Sequence, residues 1–595
     1  MHCKVSLDFG KVYAAINPCV YGQSLEQADA SVYHSLWAEL LEDRKFYYSP
    51  DDDQSPWTVP TGSVEMVTSM AYAAELSPTV WLPGGIAQAG LHLEAGREYT
   101  VRLVAAGVSL QGSVEISLRW GNGPEERVTA AIERIGDDYA PLTLTLTPSG
   151  SSEDGALEIA GHGKGAMRIG AVSLMPADNL HGMRREVLEG LKQLNAPLYT
   201  WPGGDFTDTY NWRDGIGDRD KRPPRLHPIH NRVESNDFGL DEFMTFCIEV
   251  GAEPLVMVNS TAGNVHHAVE EVRYANDDGE QGPAKLRVAN GRIEPYEVKW
   301  WGMGSQQHRT LRLVGPELED LKKKHNALAE SLQAADPRIQ LVCMGGTKDH
   351  WRDTILAGCA LNVDMISERC HAELRDTPEE LMRSLAGGIR ECSLVYRDLL
   401  QTMPDMMAKD MHLAIDRWCF NFGHESSEYL RWKHGLGLAA GIHQFIRDSD
   451  VVGLAAYAAA IGALGAVRVA NEGICLTAAG HVLSLYRNYF GERAIPVKEE
   501  CDPFDVVAAW TAGRTALTIG VVNPLEEDAR IEVTCEEDTR LLPETSWLVT
   551  APHVDSVNIP GSEQQILMDE LPVTFDNGIL TCPPLSAGVY RFRVT

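Results

Sequence analysis

The sequence predicts an α/β fold: a (β/α)8 TIM barrel with an inserted jelly-roll β-sandwich and a C-terminal β-sandwich. Three observations carry this expectation. Apolar runs of strand length alternate with helical patterns through the middle of the chain, which argues for a parallel sheet covered on both faces and closed as a barrel. Residues from about 50 to 176 show short strands punctuated by Gly and Pro, and that pattern returns from about 490. At 595 residues the chain is too long for one domain and suggests three.

The barrel elements read in order. Leu198, Tyr199 and Trp201 form an apolar run that stops at Pro202-Gly203-Gly204, as a buried strand ends in a loop. MRREVLEGLKQL before it has apolar residues at helical spacing. Further strands are expected at Glu253–Asn259, Glu297–Gly304, Arg338–Gly345, Asn362–Glu368 and Met411–Trp418, separated by helical stretches. Loops at the C-terminal ends of such strands build barrel active sites. The loop after Trp201 crowds Asp205, Asp208, Tyr210, Trp212, Asp214 and Arg219 together. A structural Gly-rich turn is the other reading of Gly203-Gly204.

Composition narrows the partners. A formal net charge of −32 argues against nucleic acid and anionic membrane surfaces. No run of 18 apolar residues occurs, so no membrane-spanning helix is expected. The N-terminal MHCKVSLDFGKVY lacks the regions of a signal peptide. Twelve cysteines without CxxC pairs indicate neither a disulfide framework nor a zinc site, which fits a reduced, cytoplasmic location. Adjacent His266 and His267 do not share a face, so their metal signal is weak and no metal is expected; no cofactor is expected either.

The segment WPGGDFTDTYNWRDGIGDRDKRP, beginning at Trp201, resembles the stretch after the second barrel strand of glycoside hydrolase family 51, the α-L-arabinofuranosidases. INPCVYGQSLEQ, Ile16 to Gln27, resembles that family's first barrel strand, with Glu26 at a substrate-contacting glutamate. Ser24 and Leu25 there stand where aromatics wall the sugar site, and Gln27 replaces a histidine. Ser35 to Phe46 and Glu234 to Pro254 match the family as well. The resemblance implies residues 1–15 joining the C-terminal sandwich, 16–49 starting the barrel, 50–176 as a carbohydrate-binding-module-like insert, 177–490 completing the barrel, and 491–595 as the second sandwich. Binding sugar and wedging between domains are both open roles for the insert. A carbohydrate ligand and a homo-oligomer are the partners it implies.

A retaining glycosidase needs an acid/base and a nucleophile, two carboxyl groups roughly 5 to 5.5 Å apart. Aligned by motif, the acid/base position is Gln306, preceded by Ser305, and the nucleophile position is Arg417. An amide exchanges no proton near neutral pH, and an arginine forms no glycosyl ester. Asp416 is not expected to take over, since successive strand residues point to opposite faces. The sixth-strand motif reads Ser367-Glu368-Arg369-Cys370-His371, with arginine for the family's histidine. Arg369 and Arg417 are therefore expected at neighbouring strand ends, either holding an anionic group or paired with local acids such as Glu26, Asp205 or Glu368.

Candidate surrogates for the missing groups are Asp205, His371 and Glu425. Candidate substrate contacts are Glu26, Trp201, Asp205, Tyr210, Trp212, Asn259, Trp301, Ser305, Arg369 and Trp418. Two functions remain open: a carbohydrate-active enzyme diverged toward another, anionic glycoside, or a non-catalytic sugar-binding or regulatory protein.

Overall fold

The structure is a computed structural model that describes residues 2–11, 13–27, 31–228, 231–260, 264–304, 316–344, 358–403, 406–407, 409–423, 430–535 and 539–595. Eight parallel strands close a barrel: β1 (Gly22–Ser24), β2 (Leu198–Trp201), β3 (Glu253–Val258), β4 (Trp300–Met303), β5 (Gln340–Met344), β6 (Met365–Glu373), β7 (His412–Asn421) and β8 (Val452–Tyr457). The order around the barrel follows the chain, with β8 pairing β1.

Alternation along these strands sorts their side chains. Leu198, Leu255, Trp300, Val342, Met365, Ala414 and Leu454, one from each of β2 to β8, form a separate apolar cluster that fills the barrel interior. Their neighbours Tyr199, Val256, Trp301, Leu341, Ile366, Ile415 and Ala455 belong to the larger core under the helices. Gly302 faces inward, where a Cβ would lie 2.0 Å from Met257 Sδ, so the missing side chain makes room for that sulfur.

The covering helices follow their apolar spacing. In α1 (Arg185–Leu194) the buried Val187, Leu188, Leu191 and Leu194 share a face, and Asn195 ends the helix in the left-handed conformation. A later helix, Pro378–Thr402, starts at a capping box made by Thr377 and Glu380 with Pro378 in its first turn.

Strands from Trp57 to Pro176 build an antiparallel sheet with its own core, including Trp57, Ile86, Leu103 and Ile169. The long strand Ser77–Leu93 pairs with Lys164–Pro176 near its start and with Ser152–Gly161 further on, joining the two halves.

At the other end, a six-stranded and a five-stranded sheet enclose a third core. His2–Leu7 lies in the five-stranded one, parallel to Ala529–Thr534 and antiparallel to Val497–Glu500, with Cys3, Val5 and Leu7 buried. This pairing brings Cys3 to Cys501, and the two form a disulfide across 498 residues. That corrects the reading of the cysteines as indicating no disulfide, because a bond made by pairing the two ends of the chain leaves no local spacing to see. Among the described residues, no helix is long and apolar enough to cross a membrane.

Candidate functional site

The site is built at the C-terminal ends of β6, β7 and β1. Across β6 and β7, Glu368 pairs with Ile415 and Arg369 with Arg417, so Asp416 is an extra residue on β7. The step from Ile415 to Trp418 against β8 skips in the same way. Ile415 and Trp418 both face the helices, which leaves Asp416 and Arg417 together on the interior side. A β-bulge of this kind re-aims side chains at barrel rims. It corrects the expectation that alternation keeps Asp416 out of the site.

Arg417 forms an ion pair with Glu26. Glu26 lies two residues beyond β1, and β8 stands between β1 and β7, so the contact reaches across the mouth rather than along one strand pair. Arg369 Nε stands 3.9 Å from Asp416 Oδ1. Burial raises the Asp416 carboxyl above its ordinary range, with the Arg369 guanidinium opposing that rise and Glu368 adding to it. One step further out, His371 faces Cys419 across the strands. Burial pushes the Cys419 thiol up to about 11, against the pull of Arg417.

Glycines let the second loop approach this pair. Gly203 and Gly204 both have positive φ, at 74° and 54°. A Cβ on Gly203 would lie 3.1 Å from Glu26 Cγ, and one on Gly204 3.3 Å from Glu26 Oε2. The Gly-Gly pair is thus a turn that also admits the Glu26 carboxylate.

The structure brings Glu26, Arg369, Arg417 and His371 into this region. Asp205 lies exposed on the short turn Gly204–Asp208, whose first residue abuts Glu26. Asn259 follows β3, and its Nδ2 donates to the Tyr210 carbonyl at 3.0 Å. Ser305, Gln306 and Glu425 lie outside the described residues.

Five expected sugar contacts fall elsewhere. Trp201, Trp212, Trp301 and Trp418 are at most 1% exposed, and Tyr210 is 8% exposed. Trp201 packs against Tyr210, Phe238 and Phe243, and its Nε1 donates to Gln27 Oε1 at 2.9 Å. Trp212 packs on Tyr274, while Trp418 packs between Phe445 and Tyr457. Trp301 donates to the Val298 carbonyl at 3.0 Å. These side chains support the rim from behind and do not line it, because each lies in the outward-facing core. Gln27 is similarly structural, linking Trp201 to Tyr33, Glu234 and the Phe238 carbonyl. His266 and His267 are tied to Glu270 and Asn211 on the helix after β3, away from any metal-holding group of side chains among the described residues.

Sequence reasoning excluded Asp416 from the site and did not name Cys419. Alternation counted outward from Ala414 would have found Asp416, and counted from Trp418 it would have found Cys419. The bulge between them had no compositional mark.

A closed parallel barrel with charged side chains at its strand ends and a β-sandwich beside it fits the resemblance to glycoside hydrolases, and the fold alone does not name the chemistry. Family models agree: the α-L-arabinofuranosidase 1 domain matches residues 190–376, and the α-L-arabinofuranosidase C-terminal domain matches residues 417–586. A protein of Aspergillus clavatus named "Probable alpha-L-arabinofuranosidase C" is 28% identical over 387 residues, covering 60% of this chain and 76% of its own. The crystal structure of an α-L-arabinofuranosidase from Thermotoga maritima in an arabinose complex superposes with a TM-score of 0.64 at 25% identity, over 69% of this chain and 90% of that one. An arabinose-bound family 51 α-L-arabinofuranosidase superposes over 100% of both chains with a TM-score of 0.80 at 16% identity, a likeness of fold. The chain is a glycoside hydrolase family 51 arabinofuranosidase-like protein.

Proposed function

We propose that this chain is a carbohydrate-active protein that has left the two-carboxylate retaining route, and that its barrel mouth takes a sugar bearing a carboxylate or sulfate. The feature that supports this reading is Arg417, ion-paired with Glu26, at the position that the motif resemblance gives to the nucleophilic carboxylate of a retaining enzyme. At 27% side-chain exposure, Arg417 is reachable from the mouth. A ligand carboxylate or sulfate that displaces Glu26 exchanges one charge-assisted bond for another, so the guanidinium is not left bare. The strand register places Arg369 opposite Arg417 on the neighbouring strand, which puts a second arginine at the same rim.

The test is a panel of aryl glycosides and oligosaccharides that includes uronates and sulfated sugars, with binding and turnover measured separately. Hydrolysis of aryl α-L-arabinofuranoside should be negligible. Turnover in the usual enzyme range of about 1 to 10³ per second would overturn the proposal. Anionic ligands should bind more tightly than neutral arabinosides. Arg417→Ala and Arg369→Ala should each weaken them by about 1.5 to 3 kcal/mol, the range for hydrogen bonds to charged groups. Equal binding of both ligand classes, unmoved by either substitution, would make the arginines structural.

A non-catalytic sugar-binding role is the second reading. It is favoured by the engagement of Glu26 with Arg417, which occupies the carboxylate best placed to act. Binding without turnover across the whole panel selects it. A homo-oligomeric state is part of the proposal and is checked by sedimentation. A cytoplasmic location is also proposed, although the Cys3–Cys501 bond weighs against a reducing compartment.

A further inference from the structure

The insert meets the barrel along the loop after β2, and a cavity of about 290 Å³ lies in that seam. Thr100 and Arg102 line it from the insert strand Tyr99–Gln111, on the face opposite the buried Tyr99, Val101 and Leu103. Asp218, Arg219 and Asp220 line it from the loop. The cavity reaches solvent, since the Arg102 side chain is 42% exposed and Asp218 is exposed.

Donors and acceptors in the lining decide what it can hold. Most acceptors are already used. Asp220 gives one oxygen to Arg44 at 2.8 Å and the other to Arg102 Nε at 2.6 Å. Asn179 Oδ1 accepts the Gly182 N–H at 2.8 Å, and Asp218 Oδ1 accepts the Asp220 N–H at 3.2 Å. The donors are in surplus. Among the described residues, the two terminal amino groups of Arg102 and the Thr100 hydroxyl meet no acceptor.

Arg219 adds a guanidinium that meets no carboxylate among the described residues and lies 5.1 Å from the centre of the Trp37 ring. A Cβ on Gly182 would stand 2.8 Å from Arg219 Nη1 and 2.3 Å from Trp37 Cη2, so the glycine leaves the guanidinium its place. Asn179 fixes that glycine and lines the cavity, which puts the Arg219 head at the Asn179 end. Charge points the same way. Three arginines line the cavity against two aspartates, and only Arg44 has a further acid, Asp237, to balance it. This disfavours a cation, and a ligand that brings acceptors fits better than one that brings donors.

We propose that the seam is an oxyanion site for a phosphate or sulfate group, held by the amino groups of Arg102, the guanidinium of Arg219 and the Thr100 hydroxyl. A tetrahedral oxyanion presents acceptors to both walls at once, and guanidinium groups bind such oxygens with charge-assisted bonds. The bound anion ties the insert to the loop after β2, the loop whose Gly204 abuts Glu26. The inference does not rest on the reading of the barrel mouth.

Titration calorimetry and melting curves with inorganic phosphate, sulfate and ribose 5-phosphate test it, each against sodium chloride at equal ionic strength. The Arg417→Ala chain serves as background, so that an anion held at the mouth is not counted. Binding there should be saturable and should raise the melting midpoint. Adding Arg219→Gln should weaken it by about tenfold or more. If that variant fails to fold, Arg102→Lys, which keeps the charge and loses the fork, decides with the same expected loss. Tighter binding of ribose 5-phosphate than of phosphate identifies an ester as the ligand, and equal binding identifies the free ion. No saturable binding of any of the three, or affinity unmoved by the seam substitution, overturns the site. Failure of uronates to bind the wild-type mouth, with phosphate still lost in the seam variants, overturns the anionic mouth and leaves the seam site standing.

Discussion

Arg44 and Arg417 each meet carboxylates at one side of the same barrel, but their surroundings differ. Arg44 is 4% exposed, with its guanidinium against Asp237 at 2.5 Å and Asp220 at 2.8 Å and Glu39 at 3.9 Å. It ties the segment after β1 to the loop after β2. Arg417 is 27% exposed and holds Glu26 across an open mouth. A guanidinium fork saturated by buried acids fixes backbone, and a ligand has nothing to displace. One that keeps a face to solvent can trade its protein partner for a ligand. Residue type alone does not separate the two cases; burial and the number of partners do.

The largest expected effect lies on the saturated side. Arg44→Met removes a buried partner from Asp237, Asp220 and Glu39, leaving Asp237 to Lys45 and Asp220 to Arg102, and should lower stability by about 3 to 5 kcal/mol, read by chemical denaturation. A loss no greater than that of an exposed pair would collapse the comparison.

Asp237 sharpens the same point through pH. Burial alone would raise its carboxyl, but Arg44 and Lys45 outweigh burial and hold it well below the ordinary carboxylate range. A depressed folded value means its stabilisation is complete above the unfolded value of about 3.9 and is lost as pH falls toward the folded value. Unfolding free energy measured from neutral to acid pH should therefore fall on the acid side. Asp237→Asn should flatten that limb, and an unchanged slope would show that other carboxylates set it.

The contrast also explains what was legible in the sequence. Six barrel strands could be placed because apolar runs of strand length mark buried parallel strands, and the first through the motif it resembles. The eighth, Val452–Tyr457, was not named: its VGLAAY carries a glycine and two alanines, and a Cβ on Gly453 would lie 2.8 Å from His412 Cβ, too close for a side chain. Arg369 and Arg417 were visible because they depart from the resembled motifs. The aromatic residues misled for a physical reason. Tyr199 and Trp201 alternate with Leu198 and Thr200, yet both faces of a barrel strand are buried, so polarity does not tell core from cavity. The Arg44 network was silent, since its acids come from separate stretches that only the fold assembles.

The smallest expected effect anchors the exposed end of the comparison. Arg591 and Glu544 form an ion pair of 3.1 Å on the C-terminal sandwich, with side chains 40% and 38% exposed. They belong to adjacent paired strands, Ser586–Val594 and Leu541–Thr550, whose register is set by backbone hydrogen bonds and buried neighbours such as Val589 and Phe592. Solvent screens the pair, and ordering two long side chains offsets much of the attraction, so Arg591→Met should change stability by no more than about 1 kcal/mol. Arg417→Met should fall between this value and that of Arg44→Met, because Glu26 loses its partner at a rim that water still reaches. Denaturation of the three variants under one buffer gives the order directly. If Arg417→Met proves as damaging as Arg44→Met, Arg417 is a structural clamp whose Glu26 contact no ligand can displace, and the anionic mouth would have to be abandoned.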